Sequence, residues 1–297
     1  MSTTKTSPDA RDCPICSDRP IYSALPYATR FNGIHFHYLK CGGCNSVFVD
    51  PVPDAETFAQ IYDKSAYHDR YYDGAVGVDY SESVRLLTQR LKPGATVLDY
   101  GCGLGSFLKA CSSQGLVPFG VEFDGEAASF AAQNANCEVI SVEAFSRSTR
   151  IPYFEVIHLG DVLGHLPDPR GTLEYLLKFL KPGGVLFVEG PLEVNPSPVF
   201  WAARIFGAVK RLIKPAFISN NPPTMLFRTD AHSQKTFFNR VDKSLILQYW
   251  QVYETGWPYR GGGLIKGSIA ALAAVVGGHN FWGVTFGNRF KAILVKT

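Results

Sequence analysis

No apolar run in this sequence approaches the roughly 20 residues that a bilayer helix needs. The longest near the carboxyl end, "SIAALAAVVGG", is far shorter and reads as a buried helix, so no stable membrane insertion is expected. An excess of one charge is missing too: 29 basic against 26 acidic residues leave a formal charge of +3. That bias is too small to point to nucleic acid or an anionic membrane as the partner. The first residues, "MSTTKTSPDARD", have no apolar stretch of the secretory kind, and no internal repeat or low-complexity tract appears. Seven cysteines, an odd number, fit reduced thiols, and the expected location is the cytoplasm.

What the 297 residues do contain is 46% hydrophobic residues and 19% charged ones, enough to bury a large core. Cys13, Cys16, Cys41 and Cys44 form two C-x-x-C pairs, whereas Cys102, Cys111 and Cys137 stand apart. Two such pairs supply the four thiolates of a closed tetrahedral structural zinc site, leaving no open position for chemistry. His35 and His37 lie between the pairs and alternate with Phe36, as on a strand. The expected organisation is a zinc-ribbon-like module over residues 1–53, a Tyr-rich helical linker or lid over 54–94, and a main domain over 95–297.

From Ala95 onward, short apolar strands alternate with helical segments: "TVLDYG", "GSFLKACSSQG", "VPFGVEF", "GEAASFAAQNA", "CEVISV", "FEVIHLG", "RGTLEYLLKFLKPGG" and "VLFVEGP". That rhythm predicts an α/β fold, a Rossmann-like doubly wound sheet covered on both faces. After Pro191 it breaks into a Pro-punctuated insertion, about 192–240, with "FGNRFKAILVK" as the closing strand. Within the insertion, "AARIFGAVKRLIKP" has the stripe of an amphipathic basic helix, which suits either a packed surface or contact with a membrane.

The first strand runs into glycines at every second position, Gly101, Gly103 and Gly105, and the next strand closes on Glu122. Such a turn lets a ligand approach the backbone at a helix start, and the carboxylate can accept both hydroxyls of a ribose. A dinucleotide fingerprint would read G-x-G-x-x-G; here the spacing is G-x-G-x-G, preceded by Asp99. A nucleoside site is the expectation.

"VLDYGCGLGSF", "GVEFD", "FEVIHLGDVLGHLPDP" and "LKPGGVLFVEGP", in this order, resemble the class I S-adenosylmethionine-dependent methyltransferases, over roughly residues 56–190. The likeness is nearest to bacterial enzymes that methylate small molecules, sugars or glycans and carry a cysteine-rich leader. The resemblance implies that Asp99, Gly101, Cys102, Gly103 and Gly105 surround the methionine part of S-adenosyl-L-methionine and that Glu122 holds its ribose. It also implies that Phe123 lies against the adenine, that Glu143 and its neighbours edge the base, and that Leu159, Gly160 and Asp161 pass near the sulfonium. Tyr67 or Tyr71 would fold back as a lid. Cys102 has no base beside it and reads as a packed thiol.

Relatives commonly read E-H-L-x-D-P after the fourth strand, where this chain has Gly164-His165, and a late-loop histidine is replaced by Met225 in "NNPPTMLF". His165 is the leading candidate general base, Asp161 a substrate-positioning acid, and His232 a competing base; His158 reads as a strand side chain. Trp201, Phe206, Phe217, Met225 and Phe227 would roof an acceptor pocket or form ordinary core. The expected activity is methyl transfer to a small organic acceptor, a sugar or an aromatic or apolar metabolite, with O-methylation ahead of C- or N-methylation. A homodimer and a non-catalytic zinc-ribbon binding protein on the same scaffold stay open, and no nucleic-acid partner is expected.

Overall fold

The computed structural model describes residues 12–18, 21–62, 79–148, 153–214 and 218–297. Nine of the thirteen strands described matter most to the site: β4 (Thr96–Tyr100), β5 (Val117–Glu122), β6 (Glu138–Ser141), β7 (Phe154–Gly160), β8 (Leu180–Pro191), β10 (Leu245–Tyr253) and β13 (Arg289–Lys296), together with β3 (Val47–Asp50) and β9 (Phe227–Arg228). The central sheet has seven strands in the order β10-β13-β8-β7-β4-β5-β6. The strands from β8 to β6 run parallel, and β13 runs antiparallel to both of its neighbours. The doubly wound sheet expected from the sequence is therefore present.

Adjacent residues on these strands serve opposite faces, as the period of two demands. Val97, Val156, Val185 and Ile293 pack under the helices Ser81–Thr88 and Ser106–Ser113 with Phe107 and Leu87. Their neighbours Leu98, Ile157, Leu186 and Leu294 pack on the other face with Phe145, Leu173, Phe237 and Phe238. Both faces being apolar, the strands read as continuous hydrophobic runs, and the fold follows.

Three findings go beyond the sequence reading. "SLILQYWQVY", which the strand-helix rhythm leaves unassigned, supplies the nine-residue edge strand β10, so that β13 is inserted between β8 and β10. The insertion also contributes β9, which pairs antiparallel with β3 and completes a four-stranded sheet begun by β1 (Ile21–Phe31) and β2 (Ile34–Cys41). Finally, "SIAALAAVVGG", expected to be a buried helix, lies largely in the helix Gly263–Val276 and shows 56% of Leu272 and 71% of Val275 to solvent.

Candidate active site

The glycine loop follows directly from β4. Gly101, Gly103 and Gly105 all have positive φ, at 77°, 53° and 78°, a region that side chains with a Cβ avoid. A Cβ on Gly101 would also meet Val162 Cγ2 at 2.5 Å, and one on Gly105 would meet Ala131 at 3.0 Å. The glycines thus fix a tight bend packed from both sides, and the helix Ser106–Ser113 starts after Gly105 with no side chain capping it. Cys102 sits inside this bend among Leu108, Ala131 and Ala135, and burial raises its thiol pKa well above the ordinary range. It is a packing thiol and not an activated nucleophile.

Glu122 ends β5 beside the same bend. Its carboxylate is buried and accepts hydrogen bonds from the backbone N–H of Gly103 at 2.7 Å, Phe123 at 2.8 Å and Asp124 at 3.2 Å. Three amide donors hold it aimed at the glycine loop. Phe123 follows, 37% exposed, with its ring edge-on to Phe58 at 5.5 Å. Glu143 is exposed on the first turn of the helix Val142–Arg147.

Beneath the loop lies a cluster that no single motif displays. His158, wholly buried on β7, donates from Nδ1 to Asp99 at 2.7 Å and from Nε2 to Glu189 at 3.2 Å. Ser83 Oγ donates to the second oxygen of Glu189 at 2.8 Å. Burial alone would discharge the imidazole, but the neighbouring carboxylates Asp99 and Glu189 outweigh it and raise its pKa to about 9. Burial likewise works against the charge of Glu189, yet the hydrogen bond from His158 holds its pKa below the ordinary value. Phe107 stacks on the imidazole at 3.7 Å. Asp99 is therefore anchored from below while it lines, with Tyr80, Gly101, Gly103, Gly160 and Asp161, a cavity of about 70 Å³ at the strand ends.

Leu159 is buried and Gly160 closes β7; a Cβ on Gly160 would strike His158 Cε1 at 2.8 Å. Asp161 then turns with φ 57° and receives both of its oxygens' bonds, at 2.7 Å each, from Arg289 at the start of β13. Arg289 Nε donates to Tyr253 Oη at 3.1 Å. Arg289 also lines a second cavity of about 300 Å³ bounded by Leu192, Asn195, Phe200, Arg204, Arg228 and Trp257. The Asp161–Arg289 pair stands where the two cavities approach.

His165 ends the short turn Leu163–His165. Its Nδ1 lies 2.7 Å from the carbonyl oxygen of Thr224, which also accepts from Tyr62 Oη at 2.5 Å. A carbonyl partner assigns the proton to Nδ1, so in the neutral ring the basic nitrogen is Nε2. Burial lowers the His165 pKa, which favours that neutral form. The ring of Tyr62 meets His165 edge-on at 5.6 Å and Phe58 at 4.6 Å. Phe58 and Tyr62, four residues apart at the end of the helix Ala55–Ile61, therefore bridge Phe123 to His165.

The two departures seen in the sequence touch each other. A Cβ on Gly164 would lie 2.4 Å from Met225 Cε, so any larger residue there would displace the methionine. The Leu226 N–H to Gly164 carbonyl bond, at 2.7 Å, ties the two segments. Met225 and Phe227 line a small hollow next to Asp161, whereas Trp201 and Phe206 are about half exposed on the helix Pro198–Ile213. His232 is exposed on the first turn of the helix Ala231–Val241. Tyr67, Tyr71 and Phe217 lie outside the described residues. Sequence reasoning gave no role to Glu189, Arg289, Tyr62 or Phe58; the signal available for the first was a histidine set in an otherwise apolar strand, which demands a buried partner.

At the other end of the chain, the Sγ atoms of Cys13, Cys16, Cys41 and Cys44 all lie within 4.8 Å of one another. Cys13 and Cys44 are 3.7 Å apart and Cys16 and Cys41 3.5 Å, close to the edge of a tetrahedron built on metal–sulfur bonds of about 2.3 Å. All four are buried in one cluster with Leu39, Phe48, Phe227 and Phe237. Arg240 donates to the Cys16 carbonyl from the helix Ala231–Val241.

Residues 67–204 match the model of a family described as a methyltransferase domain. The chain is similar to the ubiquinone biosynthesis O-methyltransferase of Psychrobacter arcticus, 32% identical over 124 residues that make up 39% of this chain and 47% of the relative. The protein of the same name from Histophilus somni is 31% identical over 122 residues, 38% of this chain and 50% of the relative. The chain thus spans about half the length of these curated relatives. Among solved structures, the plantazolicin methyltransferase BamL, crystallised with a triazolic desmethylPZN analog and SAH, superposes with a TM-score of 0.51 at 16% identity, covering 82% of this chain and 94% of that one. This last likeness shows the fold.

Proposed function

We propose that the chain, whose residues 67–204 match a methyltransferase domain, is of the class I, S-adenosylmethionine-dependent kind and transfers a methyl group from S-adenosyl-L-methionine to a hydroxyl of a small organic acceptor. The observation that carries the reading is Glu122, a buried carboxylate held by the N–H of Gly103 at the bend where only glycines fit. These residues fit the cofactor. Glu122 would take its ribose hydroxyls, Asp99 and the loop Gly101–Gly105 its methionine part, and Phe123 its base. When bound, S-adenosylmethionine supplies a methyl group made electrophilic by the sulfonium.

The chain's own residues would do the rest. Asp161, clamped by Arg289, forms one wall beside Gly160, and the clamp keeps its carboxylate from swinging into the cleft. His165, with its proton directed to Thr224, offers Nε2 to an acceptor hydroxyl and takes its proton as the oxygen attacks. Tyr62 and Phe58 pack beside the imidazole, with Tyr62 Oη 3.0 Å from Nδ1, and steady the ring. The 300 Å³ cavity beyond Arg289 suits the body of an aromatic or apolar acceptor, with Arg204 and Arg228 available to its polar groups. The relatives' printed name, an O-methyltransferase of ubiquinone biosynthesis, supports oxygen as the atom methylated.

Zinc in the Cys13, Cys16, Cys41 and Cys44 site belongs to the same proposal. The four sulfurs have the spacing of its ligands, and with every position filled by protein the ion would be structural. The test is S-adenosylhomocysteine release in the presence of a panel of phenols, catechols and sugars. Turnover with a phenol or catechol that drops at least roughly tenfold in His165→Ala supports the reading. Unchanged turnover in that variant removes His165 as base.

A further inference from the structure

The helices Pro198–Ile213 and Gly263–Val276 pack on each other through small residues, with Val199, Ala270 and Ala273 buried between them and Ala202 and Ala203 alongside. Such a seam turns the large apolar residues away from the protein. On the first helix Trp201, Ile205, Val209 and Leu212 form an outward stripe at helical spacing, and Leu212 is 83% exposed. On the second, Leu264, Ile265, Leu272 and Val275 do the same. The hairpin that follows, β11 (Asn280–Phe281) and β12 (Val284–Thr285), carries at its tip Trp282, which is 99% exposed. Exposed apolar surface on this scale costs free energy in water unless something covers it.

Charge says what covers it. Neither helix contains an acidic residue, while Arg204, Lys210 and Lys266 are exposed on them, exposed Lys214 follows the first and Arg260 lies just before the second. The overall charge of +3 conceals this local bias. A second copy of the chain would bring the same cations face to face, which disfavours a symmetric dimer across these helices. A surface that is apolar in depth and anionic at its rim complements them. At 16 and 14 residues the helices are too short to cross a bilayer, and among the described residues no helix is long and apolar enough to do so. They suit a position in the interfacial plane.

We propose that this face, Pro198–Ile213 with Gly263–Val276 and the Trp282 hairpin, docks the protein on an anionic phospholipid surface. Trp282 and Trp201 would lie at headgroup level, where an amphipathic ring is favoured, and Leu212 and Leu264 would enter the acyl boundary. Phe200, Ala203 and Arg204 of the same first helix, with the exposed Trp257, also line the 300 Å³ cavity. That an acceptor partitioning into lipid enters there rests on the methyl-transfer reading; the docking itself does not.

The experiment is sedimentation of the full chain with vesicles of phosphatidylglycerol mixed into phosphatidylcholine, against vesicles of phosphatidylcholine alone. The protein is expected to pellet with the anionic vesicles at low ionic strength, to be released by salt, and to stay in solution with the zwitterionic ones. Lys210→Gln with Lys214→Gln should lower the partition coefficient roughly fivefold for each lysine removed, and Leu212→Glu with Leu264→Glu at least roughly tenfold. S-adenosylhomocysteine calorimetry on the same variants should be unchanged, which shows that they fold. No retention on anionic vesicles at low salt overturns the proposal, as does equal retention of the double glutamate variant, or a dimer by light scattering that Leu212→Glu dissociates while wild type ignores vesicles. Vesicle binding without S-adenosylhomocysteine binding would strike the methyl-transfer reading alone.

Discussion

Replacing His158 with glutamine tests the buried cluster through its pH dependence. In the wild type, a cationic ring sits between Asp99 and Glu189, and its pKa is raised from 6.5 to about 9. A group whose pKa is raised on folding stabilises the native state fully below its unfolded value and loses that contribution as the pH climbs through the folded value. The window is therefore pH 6.5 to about 9, and the contribution surrendered across it is about 3 kcal/mol. His158→Gln keeps a donor of similar size but leaves two buried carboxylates without a cation, at a cost of about 3–5 kcal/mol near neutral pH. Urea unfolding of both proteins at several pH values isolates the effect, because groups elsewhere titrate alike in each. The gap in unfolding free energy should narrow by about 3 kcal/mol between those limits. A gap that stays constant, or widens, would show that the ring is neutral in the native protein and that the cluster is a hydrogen-bonded one without net ionic character.

Gly101→Ala forces a Cβ into positive φ and against Val162, and should destabilise the protein by about 2–4 kcal/mol in thermal or urea melts; a neutral result would mean that the bend relaxes freely. Cys41→Ser should abolish retention of zinc by metal analysis of undenatured protein. Because the cysteines share a core with Phe227 and Phe237, it should also lower the melting temperature; full stability with no metal in the wild type would count against the zinc site. The pH profile of kcat/KM for a phenolic acceptor should fall on the acid side below 6.5, since burial depresses the His165 pKa and only the neutral ring accepts a proton; the same limb persisting in His165→Ala would assign it to another group.

How much of this was legible in the sequence depends on the distance over which each feature is made. The strands, the glycine bend and Glu122 are local: an apolar run, residues with positive φ, and a carboxylate at the next strand end can be read in order along the chain. Asp99, His158 and Glu189 come from three strands, β4, β7 and β8, that meet only once the sheet has its register. "FEVIHLG" announces that His158 needs a partner but cannot say which. Arg289 reaches Asp161 because β13 runs antiparallel beside β8, a pairing that depends on recognising β10 as a strand. The two-residue β9 is too short to carry any periodic signal, although it joins the insertion to the amino-terminal sheet. Helix Gly263–Val276 misled for a physical reason: apolar composition reports a preference for leaving water, and the protein's own core is only one of the places that can meet it.

Titration of S-adenosylhomocysteine into the purified chain by calorimetry bears most directly on the methyl-transfer account, with Glu122→Ala beside it. Saturable binding in the wild type, weakened roughly tenfold to a hundredfold when the carboxylate and its charged hydrogen bonds to a ribose are removed, is the predicted result. Absence of binding heat at millimolar ligand, or an affinity indifferent to Glu122, would contradict it.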